Sequence, residues 1–167
     1  MKLFGIKSGN ISSVTFWIMI YLLSIFPLLL SRFDLDLYLL PQFEILITFF
    51  LSIYTAVVPL QYFVYGVFID VSYGNPIGIT PLLLISVNYV IKRYKLNLSK
   101  QDIMSLLLYF ACTNLVVVLL KHLLFLLNGT KYYQYKEIIV NIVVTIICYP
   151  FLHFLLSRTS YVKNNEN

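Results

Sequence analysis

Long apolar runs without a single charge dominate this chain. Ser8 to Ser31, Ile45 to Ile69, Val71 to Ile91, Ile103 to Leu120 and Ile138 to Ser157 each pass without an Asp, Glu, Lys or Arg. The fourth can continue past Lys121 to Leu127. A helix crossing ~30 Å of hydrocarbon needs roughly 20 such residues, so each run has the length of a membrane span. Composition agrees: 60% of residues are hydrophobic and 11% charged, against about 25% charged in an average soluble domain. Too little polar material remains to cover a globular surface. The expected class is all-α and membrane-embedded.

The formal net charge of +5 raises the question of a nucleic-acid partner. The cations cluster at the ends of apolar runs, which is how topology-setting charge is placed and not how a phosphate-binding stripe is built. No nucleic-acid partner is expected. Lys2 and Lys7 precede the first run as they would in a signal peptide. That run is too long for a cleaved segment and no A-x-A site follows it, so it reads as a retained first span.

The run around Pro59 is open to two readings, one long helix or two shorter ones. With the N-terminus inside and one helix, five Lys/Arg fall inside and seven outside. With two passes, eight fall inside (Lys2, Lys7, Lys92, Arg93, Lys95, Lys100, Arg158, Lys163) and four outside (Arg32, Lys121, Lys131, Lys136). The excess of positive charge on the cytoplasmic side selects the second arrangement. The expected spans are 14–31, 37–58, 61–73, 77–91, 103–124 and 137–156, with both termini cytoplasmic and a polar tail over 158–167. Residues 1–167 form one domain. The third and fourth spans are short at ~1.5 Å per residue, and require thinned lipid or partial re-entry. Tyr132, Tyr133 and Tyr135 fall in the outer loop and Tyr89, Tyr94 and Tyr161 near the inner boundary, where amphipathic rings settle.

Ionisable residues inside a span are costly, and Asp70 is the clearest. It closes Gly66-Val67-Phe68-Ile69-Asp70 and precedes Gly74-Asn75-Pro76-Ile77-Gly78. Gly66, one turn earlier on the same face, permits close helix approach. Gly74 and Pro76 force a tight turn, and Gly78 offers another close-packing position at the start of the next span. Asp70 can accept hydrogen bonds from amides freed by the turn or from the first turn of the next helix. The plain reading is a clasp that holds the turn; the sharper one is a contact with another chain or a ligand. Asp70, Gly66, Gly74, Pro76 and Gly78 are therefore the structural or partner-binding candidates. No catalytic, cofactor or metal residue is singled out.

Pro59, Gly66-x-x-x-Asp70 and Gly74-x-Pro76-x-Gly78 resemble the signature of the rod shape-determining MreD family, a Gly-Leu-Leu-x-Asp stretch followed by a Pro-Leu-Gly-like turn. Here Val67-Phe68 replaces Leu-Leu and Ile77 replaces Leu. The resemblance implies an inner-membrane bundle of about six helices, similar to the S-component-like membrane fold. It implies a non-enzymatic subunit of the cell-elongation machinery without a cofactor. Its partners would be membrane lipid and a single-span MreC-like scaffold and, through that, an MreB-like filament and the peptidoglycan synthases.

Other polar residues have simpler readings. Asn88, Asn114 and Asn141 are expected to bond between helices. Lys121 is expected to snorkel toward outer headgroups, and Glu44 to mark the outer boundary of its span. His122 and His153 lack metal-ligand spacing and read as boundary histidines. Cys112 and Cys148 read as small buried hydrophobes. Two other functions compete with this reading. A vitamin-binding subunit of an energy-coupling-factor transporter shares size and span number, but the first span lacks the small-x-x-x-small pair those subunits use for docking. An enzyme acting on lipid-linked precursors needs convergent polar side chains that the sequence does not display.

Overall fold

The structure is a computed structural model that describes residues 13–31, 36, 39–54, 57–98, 101–129 and 134–157. The polar tail, Arg32, Tyr132, Tyr133 and Tyr161 lie outside the described residues. Six helices and no strand occur among the described residues: α1 (Ser13–Ser31), α2 (Phe43–Tyr54), α3 (Pro59–Tyr73), α4 (Ile79–Leu98), α5 (Ile103–Leu127) and α6 (Tyr135–Ser157).

Two of them, α5 and α6, are long and apolar enough to cross a membrane. At 25 residues, α5 extends ~37 Å at 1.5 Å per residue. A helix that is apolar all round belongs either in a protein core or in lipid. Only 28% of the most apolar stretch of each of these two is buried. Leu108, Leu115, Val116, Leu119 and Leu123 of α5 and Ile139, Val143, Ile147 and Phe151 of α6 are exposed. An exterior of this kind is solvated by lipid and not by water.

By contrast, α2 is the central strut. Its ten consecutive residues Glu44 to Ile53 are all buried. It packs on α4 and α6 and touches α1 and α3. The helix is shorter than the 37–58 span expected from sequence. Pro41 precedes it, and the Phe43 amide bonds the Pro41 carbonyl at 3.0 Å. At its far end Val58 is extended (φ −78°, ψ 143°), the conformation that a following proline imposes. Pro59 then opens α3, where its missing N–H costs nothing. The break at Pro59 expected from sequence is present, and the Gln61 side chain caps it by accepting the Val58 N–H at 3.1 Å.

The α3–α4 hairpin has the most extensive helix contact in the bundle. Deep in the core, Phe110 stacks on Tyr149 at 4.5 Å and Phe49 meets both rings edge-on. These rings join α5, α6 and α2 where no backbone bond can.

Candidate structural site at the helix hairpin

The α3 helix ends in a Schellman turn. Gly74 adopts φ +66°, and its N–H reaches the Val71 carbonyl at 3.4 Å while the Asn75 N–H bonds the Asp70 carbonyl at 2.8 Å. A side chain at Gly74 would meet no atom, so the left-handed backbone alone demands glycine. Gly78, at φ +105°, is required for the same reason; nothing stands within 4 Å of its Cβ position, which corrects the expectation that it is a close-packing site. Pro76 prevents the helix from resuming between them.

Asp70 is fully buried one turn before this bend. Its Oδ2 accepts the Gly78 N–H at 2.8 Å and the Thr80 N–H at 3.3 Å. These are amides at the start of α4 that no preceding turn can satisfy. The carboxylate thus closes the hairpin from within, as an N-cap borrowed from the neighbouring helix. Its Oδ1 is also buried, with no hydrogen-bond partner among the described residues.

Gly66, one turn earlier, faces α4 at a closer approach. A Cβ there would stand 2.5 Å from Pro81 Cα and 2.6 Å from Pro81 N. Backbone cannot yield cheaply, so only glycine lets the two helices meet. The five candidates therefore belong to one hairpin: Gly66 and Asp70 bind its helices together, while Gly74, Pro76 and Gly78 shape its turn. The sequence reading missed Pro81 and Thr80. A proline in the first turn after a glycine was the signal available for Pro81.

The hairpin borders a second polar feature. The Lys121 ammonium lies 3.2 Å from Glu44 Oε1, with side-chain exposures of 6% and 10%. This corrects the expectation that Lys121 snorkels to the headgroups. Its carboxylate partner is inside the bundle, so extension to the boundary would leave Glu44 buried and unpaired. Glu44 does stand in the first turn of its helix, as expected.

A cavity of ~50 Å³ adjoins the pair, where Pro27, Gln42, Tyr73, Asn75 and Asn141 also converge. It has room for water, and falls well short of the ~300–1,000 Å³ of a small-molecule pocket. The lining comes from the C-terminal ends of α1, α3 and α5 and the N-terminal ends of α2 and α6. Those ends accordingly share one end of the bundle.

The three asparagines bond between elements. Asn88 accepts the Ser52 hydroxyl at 3.2 Å, Asn114 donates to the Ile142 carbonyl at 3.4 Å, and Asn141 donates to the Leu40 carbonyl at 2.8 Å. His153 bonds the Tyr54 hydroxyl at 3.1 Å, and His122 lies against the Tyr135 ring. Cys148 is half-buried, but Cys112 is exposed on α5, which corrects the expectation that it is buried. At the hairpin, the Tyr73 hydroxyl reaches back to the Ser24 carbonyl of α1 at 3.0 Å.

Fold and site together define an all-helical membrane protein whose buried polar groups bind helix to helix. The model of the rod shape-determining protein MreD family matches residues 9–159. The chain belongs to that family, whose members are membrane proteins with a role in determining rod shape. No curated protein and no solved structure matches the chain.

Proposed function

We propose that this protein is a non-enzymatic, six-pass subunit of the cell-elongation machinery in the bacterial inner membrane. Both termini are cytoplasmic, and the α3–α4 hairpin faces outward. It holds the membrane anchor of an MreC-like scaffold. Through that scaffold it helps couple an MreB-like filament to peptidoglycan synthesis.

The observation that carries this reading is the family match over nearly the whole chain, with the family-like motif folded into one hairpin whose Gly66 and Asp70 are buried. Chemistry of the polar groups supports it further. Asp70 is engaged by backbone amides and Glu44 by Lys121. Groups held this way stabilise an arrangement of helices; they are not poised to transfer protons or attack a substrate.

Clean deletion in the rod-shaped host tests the role. Cells lacking the protein are expected to round up, and the plasmid-borne chain to restore rods and co-purify with a single-span membrane protein. Normal rods after deletion would contradict the proposal.

A further inference from the structure

One groove lies at the opposite end of the bundle from the Asp70 hairpin. Along α4, Ile85, Asn88, Tyr89, Lys92 and Arg93 follow at steps of three, four, seven and eight from the first, so they share one face. Together with Pro59 at the start of α3 they line an open groove of ~520 Å³. The Lys92 ammonium is anchored at its polar end, donating to the Val57 carbonyl at 2.7 Å. Arg93 and Tyr89 are exposed. Ile85 lies two turns away, ~10 Å deeper along the helix. The lining carries two cations and no carboxylate. Lys95 and Lys100 follow closely in the sequence.

We infer that this groove binds an anionic phospholipid, with the phosphate at Lys92 and Arg93 and the upper acyl chain along Ile85 and Pro59. Charge selects the headgroup, because cations at a membrane boundary attract anionic lipids. Shape selects a lipid over a soluble anion. A free phosphate has no use for the apolar end of the groove, whereas a lipid's headgroup and chain fill both ends. Tyr89 is amphipathic and suited to the boundary between headgroup and chain. The inference rests on α4 spanning the membrane and not on the role in cell shape.

The test uses the full chain purified in a mild detergent, with phosphatidylglycerol or phosphatidylcholine added. Retained lipid is counted by mass spectrometry of the intact complex, and the thermal unfolding midpoint is followed. Phosphatidylglycerol is expected to remain bound and raise the midpoint, and phosphatidylcholine to do neither. Each basic residue near a membrane surface contributes roughly fivefold in affinity, so Lys92→Gln with Arg93→Gln is expected to weaken binding about twenty-five-fold. Lys136→Gln, at the other end of the bundle, is expected to change nothing. Should loss of the Lys92–Val57 bond unfold the double variant, Arg93→Gln alone is expected to weaken binding about fivefold.

Equal effects of the two lipids would overturn the inference, as would unchanged phosphatidylglycerol binding by a folded Arg93→Gln variant. Full displacement by inorganic phosphate would assign the groove to a soluble ligand and overturn it equally. Labelling of single cysteines placed by Tyr94→Cys and Gln101→Cys with a membrane-impermeant maleimide reports separately on whether α4 spans.

Discussion

A carboxylate buried among apolar helices needs donors, and one oxygen of Asp70, Oδ2, finds two backbone amides of the neighbouring helix. Asp70→Ala orphans both, at ~1–3 kcal/mol for each buried group left unpaired. Asp70→Asn keeps an acceptor at the same place. Thermal unfolding in detergent is expected to show a large loss for Ala and a small one for Asn. Equal losses would show that charge, and not the acceptor, matters there. If both variants reach normal levels in the membrane and Asn alone keeps the single-span partner, the clasp is also needed for binding. Gly66 makes a different demand. Its Cβ position collides with Pro81 backbone, so Gly66→Ala must part α3 from α4, at ~1–3 kcal/mol. Gly74→Ala meets no atom and suffers only the left-handed backbone, at ~1–2 kcal/mol. Gly74→Asn is expected to recover much of that loss, since Asn tolerates this conformation, whereas Gly66→Asn recovers nothing. Unfolding midpoints of the four variants check the contrast.

At the scale of helices, the Glu44–Lys121 pair ties the buried α2 to the lipid-exposed α5. Removing one partner leaves a buried charge, so Lys121→Met alone is expected to cost about 3–5 kcal/mol. Glu44→Gln combined with Lys121→Met removes both charges and is expected to recover most of that. A double-mutant cycle on unfolding free energies reads the coupling; a double variant as poor as the sum of the singles would mean the pair does not interact. This pair also marks where sequence reading stopped. Asp70 was legible because its turn residues lie within eight positions of it and each has a local meaning. Glu44 and Lys121 are 77 positions apart, and nothing in either run points to the other. Lys121 near the end of an apolar run has an ordinary explanation in snorkelling, and only the packing of α2 inside the bundle overrides it. The extent of α2 escaped for a related reason. Apolar residues continue past both of its ends, and Pro41 and Pro59 cut the helix where hydropathy does not change.

Across the whole molecule, the order of helices and the break at Pro59 were readable from apolar runs and charge, because membrane insertion depends on those same quantities. Which helix sits at the centre was not. The central α2 and the lipid-facing α5 are similarly apolar, and only packing separates them. The convergence of the ends of α1, α2, α3, α5 and α6 on one small cavity is the geometry of a chain that turns back at each helix. It fixes which helix ends lie together, and the topology proposed above puts that end on the outside. Single-cysteine labelling tests this assignment most directly. With Cys112 and Cys148 replaced by Ala, cysteines are placed singly by Asn128→Cys and Tyr135→Cys, and by Tyr94→Cys and Gln101→Cys. Spheroplasts are then treated with a membrane-impermeant maleimide. The first two are expected to react at once and the last two only after the membrane is opened. Immediate labelling at Tyr94→Cys and Gln101→Cys would place that segment outside, and α3 and α4 could no longer be two separate crossings joined at an outer hairpin.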